Sequence, residues 1–149
     1  MMAALSSEML HATAVAIGGR AVLIEGPSGS GKSDLALRLI DRGAKLIADD
    51  RTLVVRTPAG LVARPPQTIP PPLEGKMEVR GIGIAALPHA PEAAVALLVR
   101  LDPDPPRLPE RRRRTLAGVE LRVIVLDPRP PSAPIKVELA LAQPGLEDA

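Results

Sequence analysis

The sequence contains no cysteine and no phenylalanine, tyrosine or tryptophan. The first absence excludes disulfides and thiolate metal sites. The second removes any ring on which a nucleobase could stack, which argues against single-stranded nucleic-acid binding. No apolar stretch approaches the roughly 18 residues of a membrane span. Residues Met1 to His11 lack the basic start and long apolar run of a secretory signal. The expectation is a cytoplasmic protein with no membrane and no nucleic-acid partner. Net charge is also scarce, at +2, although fifteen of the nineteen basic residues are Arg.

What remains is a chain of 149 residues, 46% of them apolar, enough for one core built from Leu, Ile, Val, Ala and Met. A single catalytic domain over 1–149 is expected, with motifs over 10–142 and a frayed tail from 143. Prolines are uneven. Only Pro27 precedes residue 58, and seventeen follow it. The first part therefore reads as a regular unit, the second as one broken by loops at 65–72 and 102–109. Four arginines run from Arg111 to Arg114. Such a run can grip phosphates or an acidic partner, but it reads first as a solvated loop.

Thr13 to Ile17 and Ala21 to Glu25 read as strands about Gly18-Gly19. Leu35, Ala36, Leu39 and Ile40 recur at helical spacing, and Gly43 stands where that helix would end. Lys45 to Ala48 reads as a buried strand ending in Asp49-Asp50. Thr52 to Val55 and Leu61 to Arg64 read as a hairpin. Val95 to Leu101 and Leu121 to Leu126 are further strands. Ser132 is placed to cap a last helix through Leu141, with Pro134 tolerated in its first turn.

Between the second strand and the first helix stands Gly26-Pro27-Ser28-Gly29-Ser30-Gly31-Lys32-Ser33. It fits G-x-x-x-x-G-K-[ST] at every fixed position, in the strand–loop–helix context the motif requires. The glycines let backbone N–H groups converge on phosphate oxygens, and the helix N-terminus adds partial positive charge. Lys32 supplies a point charge toward the β- and γ-phosphates, and Ser33 a hydroxyl for Mg²⁺. Asp49-Asp50 lies one helix, one turn and one short strand later, at a strand's C-terminal end, where open α/β sheets bind ligands. One acid can hold Mg²⁺ or its water, and the other can accept the proton of an attacking hydroxyl. Glu78-Val79-Arg80-Gly81-Ile82-Gly83-Ile84 places a charged pair before two glycines. Glu78 can complete a metal site, and Arg80 can stabilise charge on a transferring group. His11 is brought near the loop if the first two strands pair, whereas His89 reads as a loop residue.

Together with Leu10-His11-Ala12 and Leu46-Ile47-Ala48-Asp49-Asp50, these motifs resemble the catalytic, C-terminal domain of the HPr kinase/phosphorylase family. The resemblance runs from about Leu10 to Leu141. It implies an α/β phosphate-loop kinase domain with a core similar to phosphoenolpyruvate carboxykinase. The implied activity is ATP- and Mg²⁺-dependent phosphorylation of a serine of HPr, the phosphocarrier of the sugar phosphotransferase system, in regulation of carbohydrate metabolism. By resemblance, His11 and Lys32 are catalytic and Asp50 is the general base. Ser33 and Glu78 bind Mg²⁺, with Asp49 beside them. A later Arg, best matched by Arg107 in Arg107-Leu108-Pro109-Glu110, is also catalytic. Family members form hexamers, so a homo-oligomer is implied. The chain resembles short forms that lack an N-terminal domain. Where long members carry a Val-Arg-Pro-Gly-Arg-like stretch, this chain has Leu126-Asp127-Pro128-Arg129-Pro130-Pro131-Ser132, which counts against the dephosphorylating half of the activity. The other readings are a small-molecule kinase and a nucleotide-sensing module that transfers nothing.

Overall fold

A computed structural model of the chain describes residues 6–66, 70, 74–107 and 112–143. Eleven strands and two helices lie among them, in the order β1 (Ser7–Leu10), β2 (Ala12–Ile17), β3 (Arg20–Glu25), α1 (Lys32–Asp41), β4 (Lys45–Ala48), β5 (Thr52–Thr57), β6 (Gly60–Arg64), β7 (Lys76–Val79), β8 (Gly83–Ala86), β9 (Ala93–Leu101), β10 (Arg112–Leu116), β11 (Val119–Leu126) and α2 (Ala133–Ala142). Nine strands form one mixed sheet, seven of them ordered β1-β5-β6-β9-β3-β2-β4 with β11 and then β10 branching from β9, and β7 and β8 form a separate hairpin. This is an α/β fold.

Strand β9 organises the sheet. One edge pairs in parallel with β3 over Arg20–Glu25. The other edge is shared: β6 takes its start at Ala93 and Ala94, and β11 takes its end in parallel at Leu98 to Leu101. Buried on both faces, such strands read as continuous apolar runs, as Val95 to Val99 does. Alternation then splits the core in two. Val22, Ile24, Leu97 and Val99 face α1 and α2, meeting Leu35, Leu39, Val137 and Leu141. Ala21, Leu23 and Leu98 face the other way, toward Val54, Leu61, Leu116 and Leu121. Leu39 is fully buried, and Leu39→Ala would cost about 2–5 kcal/mol.

Helix α1 buries Leu35, Ala36, Leu39 and Ile40, the four residues its spacing predicts. It stops at Gly43, as expected. The Gly43 N–H donates to the Ile40 carbonyl and the Ala44 N–H to the Leu39 carbonyl, a Schellman arrangement. Helix α2 begins after Ser132, but the Ser132 hydroxyl makes no capping bond. Its backbone is already helical (φ −76°, ψ −7°), whereas a capping side chain needs an extended one.

The arginine run is not a loop over the described residues. Arg112 to Arg114 open β10, which pairs antiparallel with β11. Arg113 pairs with Glu120 across the hairpin at 3.4 Å. Arg113 stands directly opposite Arg122, a like-charge pair that the diagonal neighbour Glu120 offsets. Arg111 and the tail from Pro144 lie outside the described residues. His89 sits in a short extended segment along the free edge of β4, where the Ala90 N–H donates to the Leu46 carbonyl. No helix among the described residues is long and apolar enough to cross a membrane.

Candidate functional site

The strand register brings the sequence-selected residues to one end of the sheet. Ala12 is opposite Glu25, so His11 and Gly26 leave their strands side by side. Ala14 is opposite Ala48, so Asp49 emerges next to Thr13. Arg100 is opposite Glu25, so the loop carrying Arg107 departs from the same end. This is the C-terminal end of β3, β4 and β9, where open sheets take ligands.

The loop between β3 and α1 is closed by a bond from the Ser30 N–H to the Pro27 carbonyl, at 3.0 Å. A Cβ on Gly26 would lie 2.5 Å from Ser30 Oγ, so a larger residue there would displace the Ser30 side chain. Gly31 takes the N-cap of α1 at φ +100°, a conformation side chains rarely adopt. The backbone thus turns sharply and presents the first N–H groups of α1 outward. Lys32 is buried, and its Nζ donates to the carbonyls of Gly26 (2.8 Å) and Pro27 (3.2 Å). The ammonium is held across the loop's mouth with a third proton uncommitted.

Ser33 and Asp49 meet. The Ser33 hydroxyl donates to Asp49 Oδ1 at 2.7 Å. Thr13 Oγ1 donates to the same oxygen at 3.1 Å and accepts the Asp50 N–H at 3.1 Å. Asp50 is exposed and has φ +66°, unusual for a residue other than glycine. Such conformations cluster at functional sites.

Lys32, Ser33, Asp49 and Asp50 line a cleft of about 720 Å³, together with Ser28, Gly29, Glu78 and Arg80. Glu78 and Arg80 come from the β7–β8 hairpin, which forms the opposite wall. His11 and Arg107 are exposed and do not line it. Residues 108–110, beside Arg107, lie outside the described residues. The oxygen donors Ser33 and Asp49 suit a hard divalent cation such as Mg²⁺, which takes one or two carboxylates and completes its shell with water and phosphate. Glu78 lies across the same cleft. Among the described residues no three acidic or histidine side chains converge on one point.

The family model of the HPr Serine kinase C-terminal domain matches residues 3–90. The chain belongs to that family. The HPr kinase/phosphorylase of Limosilactobacillus reuteri is 51% identical over 76 residues, which is 50% of this chain and 22% of that protein. That of Clostridium acetobutylicum is 42% identical over 79 residues, 53% of this chain and 25% of that protein. The matched stretch therefore spans about a quarter or less of these relatives. The solved structure of the Hpr(Ser) kinase/phosphatase from Coxiella burnetii matches with a TM-score of 0.76 at 26% identity, covering 95% of this chain and 98% of that one.

In this member of the HPr kinase family, three features of the site had no signal in the sequence. Glu25, the last residue of β3, is bound by Arg114, and Arg100 Nε lies 3.6 Å from its carboxylate. Arg129 is turned away from the loop, onto Asp127 (2.9 Å) and the Pro103 carbonyl (2.8 Å). The Arg129 guanidinium and N–H hold the Asp127 carboxyl below the usual carboxylate range. Thr13 binds both acids. A partner 89 residues distant, as Arg114 is from Glu25, leaves no local pattern. A single Thr in an apolar strand looks like core.

Proposed function

We propose that this chain is an ATP- and Mg²⁺-dependent kinase that phosphorylates a serine of HPr. The observation that carries the reading is the 2.7 Å bond from Ser33 to Asp49, beside the glycine-rich loop and with Asp50 in the same cleft. A hydroxyl at the helix start and a carboxylate at a strand end are the pair that holds Mg²⁺ in phosphate-loop enzymes. The names of the similar proteins supply the acceptor.

Each residue then has a task. The N–H groups of Gly26 to Ser33, with Pro27 shaping the turn, bind the phosphates, and Lys32 neutralises their charge. Ser33 and Asp49 would hold Mg²⁺, with Glu78 completing its surroundings from the hairpin, and the metal would supply positive charge against the phosphates. Asp50 accepts the proton of the serine hydroxyl as its oxygen bonds to the γ-phosphorus and the bond to the β-phosphate oxygen breaks. Arg80 stabilises charge on the transferring group. His11 and Arg107 are the remaining catalytic residues, supported by the sheet end from which both loops depart. The reading includes one catalytic domain over 1–149, a core like that of phosphoenolpyruvate carboxykinase, a cytoplasmic setting and a homo-oligomer.

The test is mass spectrometry of purified HPr after incubation with this chain and MgATP. One phosphate on a serine is expected. A folded chain that binds MgATP yet leaves HPr unmodified, or that labels small alcohols instead, overturns the reading.

A further inference from the structure

Among the described residues, the hydroxyl of Thr13 is the one polar side-chain group bonded to both acids at once. Thr13 is 0% exposed as the second residue of β2, a position an apolar β-branched residue would fill equally well by volume. Its backbone pairs with Ile24 of β3. On the other edge, the β2–β4 ladder shifts register between Ala14 and Val15, and its last pair is Ala14 with Ala48. Beyond that pair the side chain replaces the ladder. Thr13 Oγ1 accepts the Asp50 N–H and donates to Asp49 Oδ1, each at 3.1 Å. The peptide between the two acids is thereby pinned to β2.

Two consequences follow from the chemistry of a hydroxyl, which has one proton to give and lone pairs to receive. Asp50 stands at φ +66°, a conformation that persists only where neighbours over-determine it, and the bond from its N–H to Thr13 supplies that constraint. Asp49 Oδ1 is shared between Thr13 and Ser33, and the two bonds together fix the orientation of the carboxylate. We infer that Thr13 is a positioning residue for phosphoryl transfer: one buried hydroxyl sets the backbone angle of Asp50 and the carboxylate orientation of Asp49 together. The inference rests on the kinase reading above for its effect on rate, but the clamp itself is a property of the chain alone.

The experiment compares Thr13→Val, which keeps the shape and removes the hydroxyl, with Thr13→Ser, which keeps the hydroxyl. Three quantities are read: exchange of the Asp50 amide proton by NMR, KM for MgATP, and kcat for transfer to HPr. Thr13→Val should speed Asp50 amide exchange by about tenfold or more. It should lower kcat by about 10–100-fold, the usual effect of removing a group that orients a ligand-binding side chain. KM for MgATP should move less than about threefold, because the loop and Lys32 are untouched. Thr13→Ser should restore both the amide and kcat. The inference is overturned if Thr13→Val leaves the Asp50 amide and kcat within about twofold of wild type. It is equally overturned if Thr13→Ser is as impaired as Thr13→Val, since the loss would then lie in packing. If the wild-type chain transfers nothing to HPr, the kinase reading falls, and the amide measurement alone decides the clamp.

Discussion

The two walls of the cleft are built on opposite plans. On the sheet side, side chains are tied down. Lys32 spans two carbonyls, Ser33 and Thr13 share one oxygen of Asp49, and Gly26 packs closely against Ser30. On the hairpin side, Glu78 and Arg80 are exposed and neither side chain makes a hydrogen bond or ion pair among the described residues. Ile82 and Ile84 stand 81% and 67% exposed on the same hairpin. A triphosphate presents the same charges at every turnover, so a preorganised wall suits it. A wall with uncommitted side chains suits the partner that changes during the reaction.

That contrast is testable by breaking each wall in turn. The largest effect should come from Lys32→Ala. Transfer should vanish, and MgATP binding should weaken by about 1.5–3 kcal/mol, the worth of a charge-assisted contact to phosphate. Calorimetric titration checks this against a thermal melt that shows the fold intact. Equal affinity for both proteins would remove the sheet wall from nucleotide binding.

Asp50→Asn comes next. It preserves shape but deletes the proposed base, so transfer should fall by about two to four orders of magnitude while MgATP affinity stays within about tenfold. A near wild-type rate would move the role to Asp49. On the hairpin wall, Arg80→Ala should lower transfer by about a hundredfold and leave MgADP affinity within about threefold. A large loss of MgADP affinity would mean that both walls grip the nucleotide, and the contrast would collapse.

A smaller asymmetry is expected between directions. In the reverse reaction inorganic phosphate and phosphoserine bring two anionic groups together. The segment that would help, 126–132, contains three prolines without N–H donors, and its Arg129 is held by Asp127. Release of pyrophosphate from serine-phosphorylated HPr should be slower than forward transfer by about tenfold or more. Comparable rates would show that the segment is dispensable.

The smallest effect concerns stability. Asp127 has its folded pKa lowered by Arg129, so the pair stabilises the fold above the ordinary carboxylate range and loses that contribution as pH falls through the folded value. Asp127→Asn should therefore lower Tm at pH 7 by at most about 2 °C, because the pair is exposed. The difference from wild type should shrink in strong acid, as scanning calorimetry at both pH values would show.

What could be read from the residues divides by mechanism. The loop, its flanking strands and α1 were legible because spacing fixes them: glycines at set intervals, then apolar residues every three or four. Strand β1 was missed because Ser7 to Leu10 lies at the sheet edge, pairs only with β5 and buries Leu10 alone. The β7–β8 hairpin was read for its charges rather than its shape, since Met77 is its one buried residue. Strand β10 was hidden by its arginines, whose acidic partners lie elsewhere in the chain. Within the site, Asp49 and Asp50 were visible as a pair. Their different surroundings, one bound by two hydroxyls and the other exposed on a left-handed backbone, depend on Thr13 across the sheet.

The placement of Glu25 bears on the electric field in the cleft. A carboxylate one residue before Gly26 would, by itself, repel the anion that the loop collects. Arg114 and Arg100 flank that carboxylate and cancel its charge locally. The arginine-rich strand therefore makes the entrance to the loop more attractive to a triphosphate without touching it. Removing Arg114 should slow nucleotide capture most at low ionic strength, where uncompensated charge reaches farthest.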